Sequence, residues 1–153
     1  MRFIIHGHVP SKKNSKRLVY AGHRPLLISS KAHEAWHTVA MYELKSQVKG
    51  MANRIASSGP HKVTIELWGE NARRSDLTNK AESIMDLFVD MGIFRDDNWN
   101  EIPQVHIIYR GIDRKNPRAE ITVEKVEIIH SEDHENTIAT VPVSKARHGA
   151  RDR

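Results

Sequence analysis

Residues 73–98 read RRSDLTNKAESIMDLFVDMGIFRDDN, and no other stretch limits the possible folds as much. At 100° per residue from Leu77, the side chains of Ala81, Ile84, Met85, Phe88 and Met91 fall within about 80° of one meridian. That is the pattern of a helix with one core-facing stripe. Ser75 or Asp76 can cap its first turn, and Gly92 suits the residue just past its end. The spacing therefore predicts a helix over 77–91. On the other face, Thr78, Glu82 and Asp86 form an i, i+4 row, with Asn79 and Asp90 beside it and Asp96-Asp97 just beyond the stop. Like charges so spaced cost about 0.2–0.5 kcal/mol per pair, and acids in a last turn oppose the helix dipole. Either a cation offsets them, or they form a solvated acidic face with Asp76 as a simple cap.

At 153 residues with 39% hydrophobic content, the chain suits one soluble domain with its own core. No apolar run approaches a membrane span, and the start does not read as a signal peptide. The absence of cysteine excludes disulfides and thiolate sites and fits a cytoplasmic setting. The net charge of +5 is unevenly spread: Arg2, Lys12, Lys13, Lys16, Arg17, Arg24 and Lys31 all precede the first acid, Glu34. A basic N-terminal region beside a central acidic cluster would suit a polyanion held near a metal.

Alternation marks a strand at 2–9, after which residues 10–15, PSKKNS, form a polar cationic loop suited to phosphate oxygens or simply to solvent. Residues 18–20 and 25–28 flank a turn and predict a short hairpin. Ser29 or Ser30 can cap a helix over 31–49, with Ala32, Trp36, Val39, Ala40, Leu44 and Val48 as its core face. After a small-residue connector at 51–60, the alternation of Val63, Ile65 and Leu67 gives a strand over 61–70, in which Trp68 reads as a packing or interface residue. Two more strands follow at 103–110 (Val105, Ile107, Tyr109) and 119–128, the last with a bulge or an end near Glu124 and Lys125. Residues 130–153 lose periodicity and are expected to be a disordered or loosely docked tail, which leaves 1–129 as the folded domain. The order β-β-β-α-β-α-β-β indicates an α+β fold, two main helices on a mixed or mainly antiparallel sheet.

His33-Glu34-Ala35-Trp36-His37 matches the H-E-x-x-H zinc-peptidase pattern on a helix, where two histidines at i, i+4 could share one ion. The pattern fixes only three positions in a chain with ten histidines, and Ala40 and Glu43 stand where a metzincin would continue with Gly and His. Histidines bordering the core, or lying near DNA, are the simpler reading.

The run from Asp76 to Asn98 resembles the signature of the RusA family of Holliday-junction resolvases, a D-x-D-N helix start followed by a glycine, two hydrophobic residues and an acidic doublet. Asp76, Asn79, Asp86, Gly92 and Asp96-Asp97 fall on that pattern without a gap. FIIHGHVPSKKN at 3–14 resembles the family's opening, SSKAHEAW at 29–36 its first helix, and the likeness extends over about residues 1–128. Two positions depart from it. Thr78 replaces a second aspartate, and Glu82 replaces an active-site lysine. Lys80 lies about 160° around the helix from Glu82, so it does not stand in by simple drift.

The resemblance implies a Mg2+-dependent endodeoxyribonuclease, with Mn2+ as a substitute, that hydrolyses phosphodiester bonds in four-way junctions during DNA recombination and repair. It also implies a homodimer, whose two-fold symmetry matches paired incisions. Phosphoryl transfer needs carboxylates that hold the ion, an in-line water and charge neutralisation. Asp76, Glu82 and Asp97 are the expected catalytic and metal residues, with Asp86 and Asp96 as second choices and Asn79 orienting a ligand. Lys12, Lys13, Lys16, Arg17, Arg73 and Arg74 are the expected DNA contacts. The alternatives are a branched-DNA-binding module that has lost hydrolysis, given Thr78 and Glu82, and the zinc peptidase.

Overall fold

A computed structural model of the chain describes residues 1–11, 16–50, 55–56 and 58–127. Lys12, Lys13 and the tail at 130–153 lie outside the described residues. In β4 (His61–Gly69), His61, Val63, Ile65 and Leu67 are buried and the alternate residues are half-buried, as a strand with one covered face requires. It pairs antiparallel with β6 (Arg118–Lys125), which pairs antiparallel with β1 (Arg2–His6). On its other side it pairs parallel with β5 (Gln104–Ile112). The sheet is thus mixed, in the order β1-β6-β4-β5, while β2 (Lys16–Ala21) and β3 (Arg24–Ser29) form a separate antiparallel hairpin. With α1 (Lys31–Val48) and α2 (Leu77–Asp90), the described elements follow the predicted order, and the fold is α+β.

Phe3, Ile5, Val63, Ile65, Ile121 and Val123 are all buried, and they share the core with Leu44 of α1 and Ile84 and Phe88 of α2. Phe88 meets Phe3 edge-on at 5.4 Å between ring centroids and stacks on Phe94 at 5.5 Å. The outer edge of β1 is closed by α1. Ile4 N donates to Gln47 Oε1 (2.8 Å), Gln47 Nε2 donates to Ile4 O (2.6 Å), and His6 N donates to Glu43 Oε2 (2.8 Å). Side chains thus occupy backbone groups that could otherwise recruit a foreign strand.

The structure corrects several expectations. In α1, Val39 is 57% exposed and Ala32 is exposed, whereas His33, Ala40, Leu44 and Val48 are buried. The covered face follows the row 33, 40, 44, 48, and the apolar residues of α1 are split between two stripes. β5 is the edge of the sheet, and its Val105 and Tyr109 are exposed. β6 ends at Lys125, the strand end being one of the two alternatives expected near Glu124 and Lys125, and the sheet's irregularity lies at Leu67/Trp68 opposite Tyr109 and Gly111. Gly111 takes a φ of 113° there, a conformation open to glycine and strained for other residues.

Candidate functional site

Two parallel neighbours joined by a helix form a βαβ unit, in which the loop leaving the first strand feeds the start of the helix. Ligand crevices in such units open outside the carboxyl ends of the strands. Here that place is where β4 ends at Gly69, α2 begins after Asp76, and β5 bulges after Tyr109.

Asp76 is the N-cap of α2. Its Oδ1 accepts from Thr78 N (3.0 Å), Thr78 Oγ1 (2.6 Å) and Asn79 N (3.4 Å), and its Oδ2 accepts from Asn79 Nδ2 (3.1 Å). The cap follows from chemistry legible in the sequence: a short acid answers the unpaired N–H groups of a first turn. Thr78, at the position of the family's second acid, acts here as a donor that fixes Asp76.

Beside the cap lies a cleft of about 350 Å³, lined by residues on both sides of Asp76, namely 73–75 and Leu77. One wall is Lys80, only 8% exposed, whose Nζ donates to the Val9 carbonyl and stands 3.2 Å from His8 Nε2. Burial pulls the Lys80 ammonium below its ordinary pKa, with Glu70 opposing. His8 is likewise lowered, first by burial and then by the charge of Lys80, against Glu70, whose Oε1 is 3.8 Å from its Nδ1. Ser83 donates to the Pro10 carbonyl (2.9 Å), so the segment after β1 is strapped to a second side of α2. His8, Glu70, Lys80 and Tyr109 were missed by the sequence reading. The one local signal was the row Lys80, Ser83, Leu87 at i, i+3, i+7, a second buried stripe that begins with a charge.

Asp76 and Asn79 are brought together; Asp97 is not brought to them. α2 has 14 residues, a length of about 21 Å at 1.5 Å per residue. Asp97 follows its far end, where the Asn98 carbonyl accepts from Glu101 N and Ile102 N and the Glu101 carbonyl from His61 N, the first residue of β4. Asp76 follows the last residue of β4. The expected three-carboxylate pocket is therefore not assembled within one chain, and among the described residues no three His, Asp or Glu side chains form a group that could hold a metal. Asp96 is engaged in its own turn, accepting from Asp97 N (2.8 Å) and Asn98 Nδ2 (2.8 Å), bonds that hold its carboxyl below the usual range. Asp97 is exposed, and Glu82 and Asp86 are half-buried.

Arg73 and Arg74 are exposed, and neither guanidinium makes an ion pair or hydrogen bond among the described residues. By contrast, Arg17 reaches Ser29 O (3.1 Å) and Glu34 (3.5 Å), which ties the hairpin to α1; Lys16 is exposed on that hairpin. In the H-E-x-x-H segment, His33 is buried with its ring stacked on His37 at 6.2 Å, His37 Nε2 is 2.9 Å from Asp90, and Glu34 faces Arg17. No helix among the described residues is long and apolar enough to cross a membrane. Neither the family models nor the curated proteins compared with this chain match it.

Proposed function

We propose that this chain is a divalent-cation-dependent endodeoxyribonuclease that acts on branched DNA, the four-way junction above all, in recombination and repair, and that it works as a homodimer. The observation that carries this reading is Asp76: a carboxylate held by Thr78 and Asn79, between Ser75 and Leu77, two residues that line a cleft together with Arg73 and Arg74. The likeness of residues 76–98 to the RusA signature supports it from the sequence side. Oxygen-only donors suit Mg2+ or Mn2+, and Mg2+ is often held by one or two protein carboxylates with several retained waters. Of the expected ligands, Asp76 is the one beside the cleft; Glu82, six residues on, lies roughly 120° around α2 from it and about 9 Å along the axis. Such an ion, when bound, supplies neutralisation of phosphate charge and a more acidic water. Arg73 and Arg74 take backbone phosphates, which position a strand without reading its sequence.

A second reading is a module of the same fold that binds branched DNA without cutting it. It is favoured by Glu82 in place of a lysine, by Thr78 in place of an acid, and by the lack of a three-ligand group among the described residues. One experiment separates the two. The parent and Asp76→Asn are each incubated with a synthetic four-way junction and Mg2+. Cleavage by the parent that is lost with EDTA and in Asp76→Asn, with junction binding retained, supports the nuclease. Binding without cleavage by either supports the module. A parent that neither binds nor cuts the junction overturns both.

A further inference from the structure

We infer that the cleft beside Asp76 receives one unpaired nucleotide of the DNA, its base against Tyr109 and its phosphate on Arg73 and Arg74. This rests on the reading of the chain as a protein that acts on DNA, and it adds what the branch offers that a plain duplex does not. A volume of about 350 Å³ lies within the range of small-ligand sites and is far too small for a double helix. The lining divides by chemistry. Val9, Leu67 and Leu77 give it an apolar floor, and Tyr109, half-exposed at the β5 bulge, offers a ring to the opening. Three cations, Arg73, Arg74 and Lys80, stand against one carboxylate, Glu70.

Lys80 makes this a built site rather than a surface dent. An ammonium has three donors. The Val9 carbonyl and His8 take two in the structure, and among the described residues a third has no partner, on a residue that is 8% exposed. The arginines point the same way. Among the described residues Arg2, Arg17, Arg95, Arg110 and Arg118 each have a carboxylate within 4.0 Å, whereas Arg73 and Arg74, like Arg24 and Arg114 outside the cleft, have none. A base supplies a flat face for a tyrosine, and its phosphate supplies the anion these donors lack. A paired base must first be unpaired and unstacked to enter, so the cleft favours strands that are already open at a branch.

The test uses the full chain and duplex DNA with a single unpaired nucleotide, beside the same DNA with an abasic residue at that position, in EDTA so that nothing is cut. Removing the base is expected to weaken binding about tenfold or more, in line with the worth of one base–aromatic stack. In Tyr109→Ala that difference should vanish, while in Arg73→Ala/Arg74→Ala overall affinity should fall and the base difference should persist. Circular dichroism confirms that each variant is folded. Tight binding with no preference for the intact base, or a preference untouched by Tyr109→Ala, overturns the cleft assignment and leaves the broader DNA reading standing. No binding to either DNA also overturns the cleft assignment, and the same assay with the four-way junction then decides the broader reading.

Discussion

Asp76 combines two roles that substitution can separate. As an N-cap it accepts from Thr78 N and Asn79 N, and as a carboxylate it carries the charge that a cation would need. Asp76→Ala loses both and is expected to lower unfolding stability by about 0.5–2 kcal/mol. Asp76→Asn can still cap, so its urea midpoint should stay close to the parent's while cleavage disappears. If Asn unfolds the protein as readily as Ala, the capping account is wrong. The cap was legible in the sequence because its partners lie two and three residues away. Lys80 was not legible, because the groups that bury it, His8 and Val9, lie more than seventy residues back. No local pattern announces that a lysine on a helix will be roofed by the segment leaving the first strand. Thr78 was read as a departure from a family pattern, and only the structure gives it a task.

Among the elements, α2 was read nearly to the residue because its cap, its stripe and its glycine stop agree, and Gly92 does take a positive φ of 66°. The stripe understated its burial, since Asn79, Lys80, Ser83 and Leu87 are covered as well. α1 was found with Ala40, Leu44 and Val48 in the core and Trp36 packed against it, but Val39 and Ala32 carry apolar weight on a side that stays in water, and His33 is buried beside the expected stripe. β5 was found by its alternation, which cannot tell an edge strand from a central one. Two predictions belong at this scale. Phe88, fully buried between Phe3 and Phe94, is the joint between α2 and the sheet, and Phe88→Ala should cost about 3–5 kcal/mol by urea unfolding. Gln47→Ala removes both bonds that seal the backbone of Ile4, so the amide of Ile4 should exchange faster with deuterium while buried amides of β6 do not. Unchanged exchange at Ile4 would mean that something else closes that edge.

For the whole molecule, several ionisable groups on different elements make the fold sensitive to acid in the same direction. His8 and His61 both titrate below the ordinary 6.5, burial being the larger cause in each, with Lys80 adding to it at His8 and Lys125 at His61 while Glu70 and Glu101 oppose. His61 is 2% exposed, its Nε2 lies 2.9 Å from Ser58 Oγ, and its ring packs near Phe94. The unfolded chain therefore takes up protons near pH 6.5 that the folded chain still refuses, so stability falls as pH drops from there towards the folded values. Glu120 adds a second step. It is 5% exposed on the sheet face away from the helices, and burial alone would raise its pKa. The hydrogen bonds from Arg118 and Arg2 outweigh that and hold it below 4.5. Its contribution is complete above that value and is lost as pH falls through the lower folded one. Arg118 in turn lies over Trp68, 3.9 Å from the ring centroid, so protonating Glu120 loosens a cluster spanning β1, β4 and β6. The urea midpoint is thus expected to decline as pH falls through 6.5 towards the lower folded values of the two histidines, and to decline again below 4.5. His61→Gln should shrink the first decline and Glu120→Gln should remove most of the second. A midpoint that holds level or rises on going from neutral to mildly acid solution would contradict the lowered titration of His61, which is buried, and of His8, an exposed ring partly desolvated beside Lys80.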